Sequence, residues 1–163
     1  MTRPWAARER PLHFILKNVG KMNSLKLNLK PLDKALTQLT KSWEVYTDIS
    51  NSKLAEFLRA ATIQAFEYTY ELAFKIIKRY LAQTAANPNE IASMSFNDLI
   101  RSACEKNLLL NDLRVWLNYR EKRNMTSHTY EEANAELVVS IVPDFIAEIK
   151  FLTQQLYERT QQT

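Results

Sequence analysis

The sequence predicts an all-α fold, an up-and-down antiparallel bundle of about five helices. The 163 residues include a single glycine, which leaves little room for tight hairpins or for glycine loops that cradle phosphates. Apolar residues recur at steps of three and four over long stretches, and no stretch alternates as a half-buried strand does. Hydrophobic residues make up 46% of the chain and charged residues 25%, as in ordinary globular proteins. These features together favour helices that share a core and are joined by polar turns.

The first two helices have the clearest periodicity. The first is predicted to start at Pro31, a residue that suits the first helical position, and to end near Asp48. The second is predicted over residues 53–83 and is the longest. It carries two apolar stripes, Leu54/Phe57/Leu58/Ala61/Ala65/Tyr68/Leu72 and Ile63/Phe66/Tyr70/Ile77/Leu81. Two apolar faces predict that this helix contacts its own bundle and also a further partner, such as a second subunit.

Turn and capping residues divide the middle of the chain. The tripeptide Asn87-Pro88-Asn89 is predicted to interrupt the second helix. Ser95 and Asp98 have the spacing of a capping box, which predicts a short helix to about residue 106. Asn111 or Asp112 is then expected to cap a helix that runs to about residue 123.

The last helix is predicted to begin at about Tyr130 and to continue almost to the end of the chain. Thr129 and Glu132 have the spacing of a second capping box at its start. Pro143 lies within its apolar pattern and removes one backbone donor, so we expect a kink there.

The net charge of +4 is confined to the beginning of the chain. Residues 1–21 have five Lys or Arg and one Glu, whereas residues 22–163 have 17 basic and 17 acidic side chains. We therefore divide the chain into a basic N-terminal extension, 1–21, and one helical domain, 22–163. No stretch is apolar enough to predict a membrane span. The single cysteine, Cys104, excludes an internal disulfide framework and fits a reduced, cytoplasmic setting.

One short segment concentrates side chains that could perform chemistry: Arg123-x-x-x-x-His128-x-Tyr130, with Asn124 beside the arginine. A guanidinium holds phosphate oxygens by paired hydrogen bonds, and an imidazole moves a proton near neutral pH. These groups could cut or modify a phosphodiester without a metal or another cofactor. The structural alternative is that Arg123 and His128 only cap and solvate a helix junction.

The geometry of this segment depends on a break in the helix. On one unbroken helix, five residues would place Arg123 and His128 about 140° apart around the axis. A turn at Thr126-Ser127 would instead let Arg123 project from the end of one helix and His128 from the start of the next. A helix N-terminus there would also offer free amides to an anion.

The segment resembles the signature of the HEPN superfamily, and more narrowly of its nucleotidyltransferase substrate-binding protein branch. The run Phe66–Tyr80 resembles the second helix of that branch. The resemblance implies a homodimer that cleaves an RNA substrate through attack of a 2′-hydroxyl, with no metal. His128 would be the general acid/base, Arg123 would stabilise the phosphorane, and Asn124 would position the phosphate.

The resemblance also implies regulation. Tyr130 would be the residue to which a partner minimal nucleotidyltransferase adds AMP, which would block RNA and make the partner the antitoxin of a toxin–antitoxin system. The alternative is a non-catalytic nucleotidyltransferase substrate-binding or partner subunit. Tyr130 could also be a core aromatic residue with its hydroxyl at the surface.

Two acidic residues of the second helix, Glu67 and Glu71, are candidate auxiliary groups near the predicted groove. Their alternative role is that of a solvated helix face. Glu71 also lies four residues before Lys75, the usual spacing of an exposed ion pair on one helix.

Overall fold

The computed structural model describes residues 26–50 and 52–161, so the predicted extension 1–21 lies outside the described residues. Every regular element in these ranges is helical, which confirms the all-α antiparallel bundle. No helix in these ranges is both long enough and apolar enough to cross a membrane. The elements are α1 (Lys30–Asp48), α2 (Ser52–Thr84), α3 (Pro88–Ser93), α4 (Phe96–Glu105), α5 (Leu113–Met125), a 3-10 turn (Thr126–His128), α6 (Glu132–Ser140) and α7 (Val142–Gln161).

The 33-residue helix α2 contacts more of the bundle than any other described element: α1, α3, α4, α5, α6 and the 3-10 turn all pack against it. Its predicted second stripe is buried, and Phe66 at the centre is fully enclosed. The Phe66 ring meets the Phe145 ring of α7 edge to face at 4.9 Å, and Tyr119 meets Phe145 in the same way at 5.1 Å. Aromatic pairs of this kind add about 0.5–1.5 kcal/mol beyond burial of their area. The core therefore fixes α5 and α7 against α2.

The other predicted stripe of α2 is only partly covered. Ala65 is buried, but Leu54 is 48% exposed, Tyr68 58% and Phe57 75%. Along its N-terminal half, α2 thus presents a second apolar face outside its own bundle. Coverage of this face by a second subunit remains a prediction.

The capping residues of the middle helices are confirmed. Ser95 accepts the backbone N–H of Asp98 at 3.2 Å at the start of α4, and Asp112 accepts the N–H of Val115 at 3.2 Å at the start of α5. The segment after α2 forms one more short helix than predicted. Asn87 caps this helix by accepting the N–H of Asn89, and Pro88 occupies its first turn. Asn followed by Pro is a signal for a turn, but the same two residues also suit the start of a helix.

The predicted start of the last helix is wrong by about two residues. Thr129 caps no helix, because its hydroxyl donates to the Thr126 carbonyl at 3.2 Å within the turn. Helix α6 begins at Glu132, and no side chain caps it. The kink expected at Pro143 is a complete break at Ile141 between α6 and α7. Pro143 then lies in the first turn of α7, where a missing N–H breaks no intrahelical bond.

An arginine that the sequence did not single out joins α2 to α6. The Arg59 side chain is 13% exposed and donates to both carboxylate oxygens of Glu132 and to Glu136 at 2.7 Å. The hydrogen bonds from Arg59 lower the pKa of the Glu132 carboxyl. This ion-pair cluster holds α6 against α2 immediately after the Arg123–Tyr130 segment.

A buried carboxylate holds the segment that leads into α5. Glu148 of α7 is fully buried and accepts from the backbone N–H groups of Leu110 and Asn111, at 2.9 and 3.0 Å, and from the Asn111 side chain at 2.7 Å. Burial raises the pKa of Glu148, an effect that its hydrogen bonds oppose. Asn111 therefore serves this carboxylate, and Asp112 caps the helix.

We predict that Glu148→Ala lowers the free energy of unfolding by about 3 kcal/mol, because three donors lose their buried acceptor. Urea denaturation monitored by circular dichroism measures the change. The matched control is Glu158→Ala, an exposed carboxylate on the same helix, with an expected change within about 0.5 kcal/mol.

The same carboxylate should make stability depend on pH. Since folding raises the pKa of Glu148, its contribution is fully present below the unfolded value of about 4.3. It is lost as the pH rises through the folded pKa, and Glu148→Gln removes this slope. If Glu148→Ala and its control Glu158→Ala had equal free energies of unfolding, the result would contradict the role of Glu148 in holding the segment before α5.

Candidate functional site

Arg123 lies in the last turn of α5 and is held by two carboxylates of α2. Its Nε donates to Glu71 Oε1 at 2.5 Å, and its Nη2 lies 3.6 Å from Glu67 Oε1. The arginine side chain remains 32% exposed. The sequence placed Glu67 and Glu71 near the groove, and the structure places both beside the Arg123 guanidinium. Their role in chemistry remains a prediction.

These contacts leave the phosphate-binding edge of the guanidinium available. Arginine has five N–H donors, and Glu71 takes the one on Nε. The separation from Glu67 exceeds the range of N–H···O hydrogen bonds, about 2.7–3.2 Å. The two terminal nitrogens of Arg123 can therefore still donate in parallel to two oxygens of one phosphate.

Arg123 lines a cleft of about 220 Å³ between α2, α4 and α5, which we call the aromatic cleft. It is lined by Tyr70, Glu71, Phe74, Phe96, Arg120, Arg123 and Asn124. Asn124 is exposed, and its amide can donate to an anion beside the arginine. The structure thus brings together three of the predicted site residues, Arg123, Asn124 and Glu71. Sequence reasoning assigned no role to Phe74, Phe96 or Arg120, although the three-residue step from Arg120 to Arg123 places both on one side of α5.

His128 belongs to the turn that follows α5. The prediction that it starts the next helix is wrong, because it ends the 3-10 turn and α6 begins four residues later. Its backbone carbonyl accepts from the Asn134 side chain at 3.1 Å, which ties the turn to α6. The imidazole is exposed, and its ring centroid lies 6.2 Å from that of Tyr130, edge to face. Tyr130 is 80% exposed, so the alternative of a core aromatic residue is wrong.

The segment therefore presents two adjacent groups. Arg123 and Asn124 line the aromatic cleft, and His128 and Tyr130 form an exposed pair on the turn. Within residues 26–50 and 52–161, no hydrogen bond, ion pair or ring contact joins Arg123 to His128 or Tyr130. In the same ranges, no group of three or more His, Cys, Asp or Glu side chains could hold a metal ion.

Comparison with known proteins gives consistent matches. Residues 27–158 match the family described as nucleotidyltransferase substrate binding protein like. A Haemophilus influenzae protein named probable ribonuclease HepT is 39% identical over 141 residues, and the match covers 83% of this chain and 96% of that protein.

A solved structure from Haemophilus influenzae is also similar. It is described as revealing the fold of a substrate-binding domain of a nucleotidyltransferase. It superposes with a TM-score of 0.75 at 37% identity, covering 80% of this chain and 99% of that one. The match over residues 27–158, the relative at 39% identity and the common fold show that this chain belongs to the nucleotidyltransferase substrate-binding protein-like family.

Proposed function

We propose that this protein is a metal-independent endoribonuclease, the toxin of a two-component toxin–antitoxin system that acts in the cytoplasm. The observation that carries the proposal is the way in which the Arg123 guanidinium is held. Its guanidinium is fixed through Nε, and its terminal nitrogens remain available five residues before an exposed imidazole. The similarity to a protein named probable ribonuclease supports the same activity.

The reaction needs groups that this chain supplies. A ribose 2′-oxygen attacks the adjacent phosphorus, and the imidazole of His128 takes the 2′ proton as general base. The bond from phosphorus to the 5′-oxygen breaks, which leaves a 2′,3′-cyclic phosphate, and the leaving 5′-oxygen takes a proton to become a hydroxyl. The guanidinium of Arg123 and the amide of Asn124 stabilise the negative oxygens of the phosphorane.

One step calls for a second copy of the chain. The 5′-oxygen needs an acid while His128 of one chain acts as the base. In a homodimer, the protonated His128 of the other copy would supply that proton. The exposed apolar face of α2, with Leu54, Phe57 and Tyr68, supports dimerisation, since contiguous exposed apolar surface is typical of protein interfaces.

Control by a minimal nucleotidyltransferase would act through Tyr130, and the exposure of this residue supports that part of the proposal. The phenol oxygen would attack the α-phosphorus of ATP, form a phosphodiester to AMP and release pyrophosphate. Tyr130 is 80% exposed and its ring centroid lies 6.2 Å from that of His128, so the attack is sterically possible. The added anion would lie next to His128 and repel the phosphates of RNA. The family description supports a nucleotidyltransferase as the partner, which would be the antitoxin.

A second candidate function is that of a non-catalytic substrate-binding or partner subunit of a nucleotidyltransferase. The observation that favours it is the pair of carboxylates on Arg123, because Glu67 and Glu71 together offset the positive charge that RNA would meet. The description of the solved relative agrees with this function.

We predict that His128→Ala lowers the rate of RNA cleavage by about 10²–10⁴-fold, the usual contribution of a general acid or base. The assay uses purified protein with Tyr130 shown by mass spectrometry to be unmodified. Cleavage by the wild-type protein should persist in EDTA and should leave a 2′,3′-cyclic phosphate. The matched control is Ser127→Ala in the same turn, which should retain the wild-type rate.

Two results would contradict this prediction. Intact RNA after incubation with unmodified wild-type protein would favour the partner-subunit function. Cleavage that EDTA abolishes would exclude the metal-independent mechanism.

We predict that Glu71→Ala slows cleavage by about 10²-fold, because Arg123 loses the acceptor that fixes its position. Glu71→Gln retains an acceptor oxygen and should stay within about tenfold of the wild-type rate. The control is Glu56→Ala, an exposed carboxylate on the same helix. Faster cleavage by Glu71→Ala would show instead that the carboxylate masks Arg123.

We predict that Tyr130→Phe prevents modification by a minimal nucleotidyltransferase of this family supplied with ATP and Mg²⁺. Intact-protein mass spectrometry should detect added AMP on the wild-type chain and on the control Tyr68→Phe, which lacks another exposed phenol. After the incubation, the wild-type protein should lose RNA cleavage and Tyr130→Phe should keep it. AMP found on Tyr130→Phe would exclude Tyr130 as the modified residue.

A further inference from the structure

The aromatic cleft contains a series of flat groups that the proposed chemistry does not use. Tyr70 and Phe74 of α2 are parallel to within 3°, with ring centroids 6.5 Å apart. Phe74 and Phe96 of α4 follow at 5.5 Å and 21°. The guanidinium carbon of Arg120 lies 4.5 Å from the centre of the Phe96 ring, a cation–π contact.

Arg120 differs from Arg59 and Arg123 in what holds it. Those two donate to carboxylates. In the part of the chain that the structure describes, no carboxylate forms an ion pair with Arg120, and its side chain is exposed. Its positive charge is thus positioned by an aromatic face and not by an ion pair. A planar cation of this kind can stack on a nucleobase and can attract a phosphate.

The dimensions of the cleft suit one flat ring. Its volume of about 220 Å³ is below the roughly 300–1,000 Å³ of pockets that enclose a drug-sized ligand. Arg120 and Arg123 are three residues apart on α5, which is about 4.5 Å along the helix axis. A base in the cleft would therefore belong to the nucleotide next to the phosphate on Arg123.

We propose that the aromatic cleft is a nucleobase-binding subsite, in which a base of single-stranded RNA stacks on the Phe96–Arg120 pair beside the scissile phosphate. Proteins that bind single-stranded RNA stack bases on aromatic rings and on arginine planes, and such stacking tolerates different bases. The inference rests on the proposed function, because it assigns the contact that selects single-stranded substrate. Double-stranded RNA, whose bases are already stacked, is excluded from this contact.

The test separates stacking from charge. Arg120→Lys keeps the positive charge and removes the planar group, and Arg114→Lys is the matched control, an exposed arginine of α5 that does not line the cleft. Both changes are made in the His128→Ala chain, so that binding is measured without cleavage. Fluorescence anisotropy measures affinity for labelled single-stranded oligonucleotides, each with one abasic nucleotide at a successive position.

The expected result is a loss of affinity of about tenfold for Arg120→Lys and no loss for Arg114→Lys. An abasic nucleotide at one position should lower the affinity of the Arg114→Lys protein by the same tenfold. It should not lower the affinity of the Arg120→Lys protein any further. Such non-additivity identifies the two groups that contact each other.

Equal affinities of Arg120→Lys and Arg114→Lys would overturn the subsite. It would also be overturned if the abasic nucleotide lowered the affinity of Arg120→Lys as much as that of Arg114→Lys. Neither result affects the proposed ribonuclease, which the dependence of cleavage on His128 tests separately. Failure of the His128→Ala chain to bind any single-stranded oligonucleotide would also overturn the subsite.

Discussion

Aromatic packing of α2 against α5 and α7 positions the other groups of the candidate site. Tyr70 of α2 contacts both Trp116 of α5 and Phe145 of α7 through its ring, with centroids 6.3 and 6.4 Å apart. Glu71 follows Tyr70 directly and so emerges at the α5 side of the helix, where Arg123 lies two turns beyond Trp116. The buried aromatic contacts therefore set the position of the exposed ion pair. A change in these core contacts would therefore displace the Arg123 guanidinium.

The Arg123–Tyr130 segment is exposed and yet held at both ends. At its start, α5 packs on α2 and the Thr126 hydroxyl donates to the Arg123 carbonyl at 2.7 Å. At its end, the contacts of Arg59 with Glu132 and Glu136 hold α6 on the same long helix. An exposed motif anchored in this way keeps its side chains accessible without losing their placement, which is what a site for a large substrate needs.

Charge in the cleft is divided between two arginines with different surroundings. Arg123 is held by carboxylates that offset its positive charge, whereas Arg120 is held by the ring of Phe96. Residues 22–163 carry no net charge, so tight binding of RNA by general electrostatic attraction is not expected of this region. The proposed contacts to one phosphate and one base depend on defined geometry, so they do not require a high net positive charge.

The sequence alone determined the helical class, the long second helix with its two apolar stripes, and the cap at Ser95, because periodicity and capping act between residues a few positions apart. It left the cap of the following helix open between Asn111 and Asp112. It also predicted that Arg123, Asn124, His128 and Tyr130 form one motif suited to phosphate chemistry. Which groups meet depends on contacts between helices that are far apart in sequence. Local spacing paired Glu71 with Lys75, but in the folded protein Glu71 accepts a hydrogen bond from the Nε–H of Arg123, 52 residues away. The partners of Glu148 and Arg59, and the convergence of Phe74, Phe96 and Arg120 in one cleft, likewise depend on how helices pack, and no pattern within a single helix contains that information.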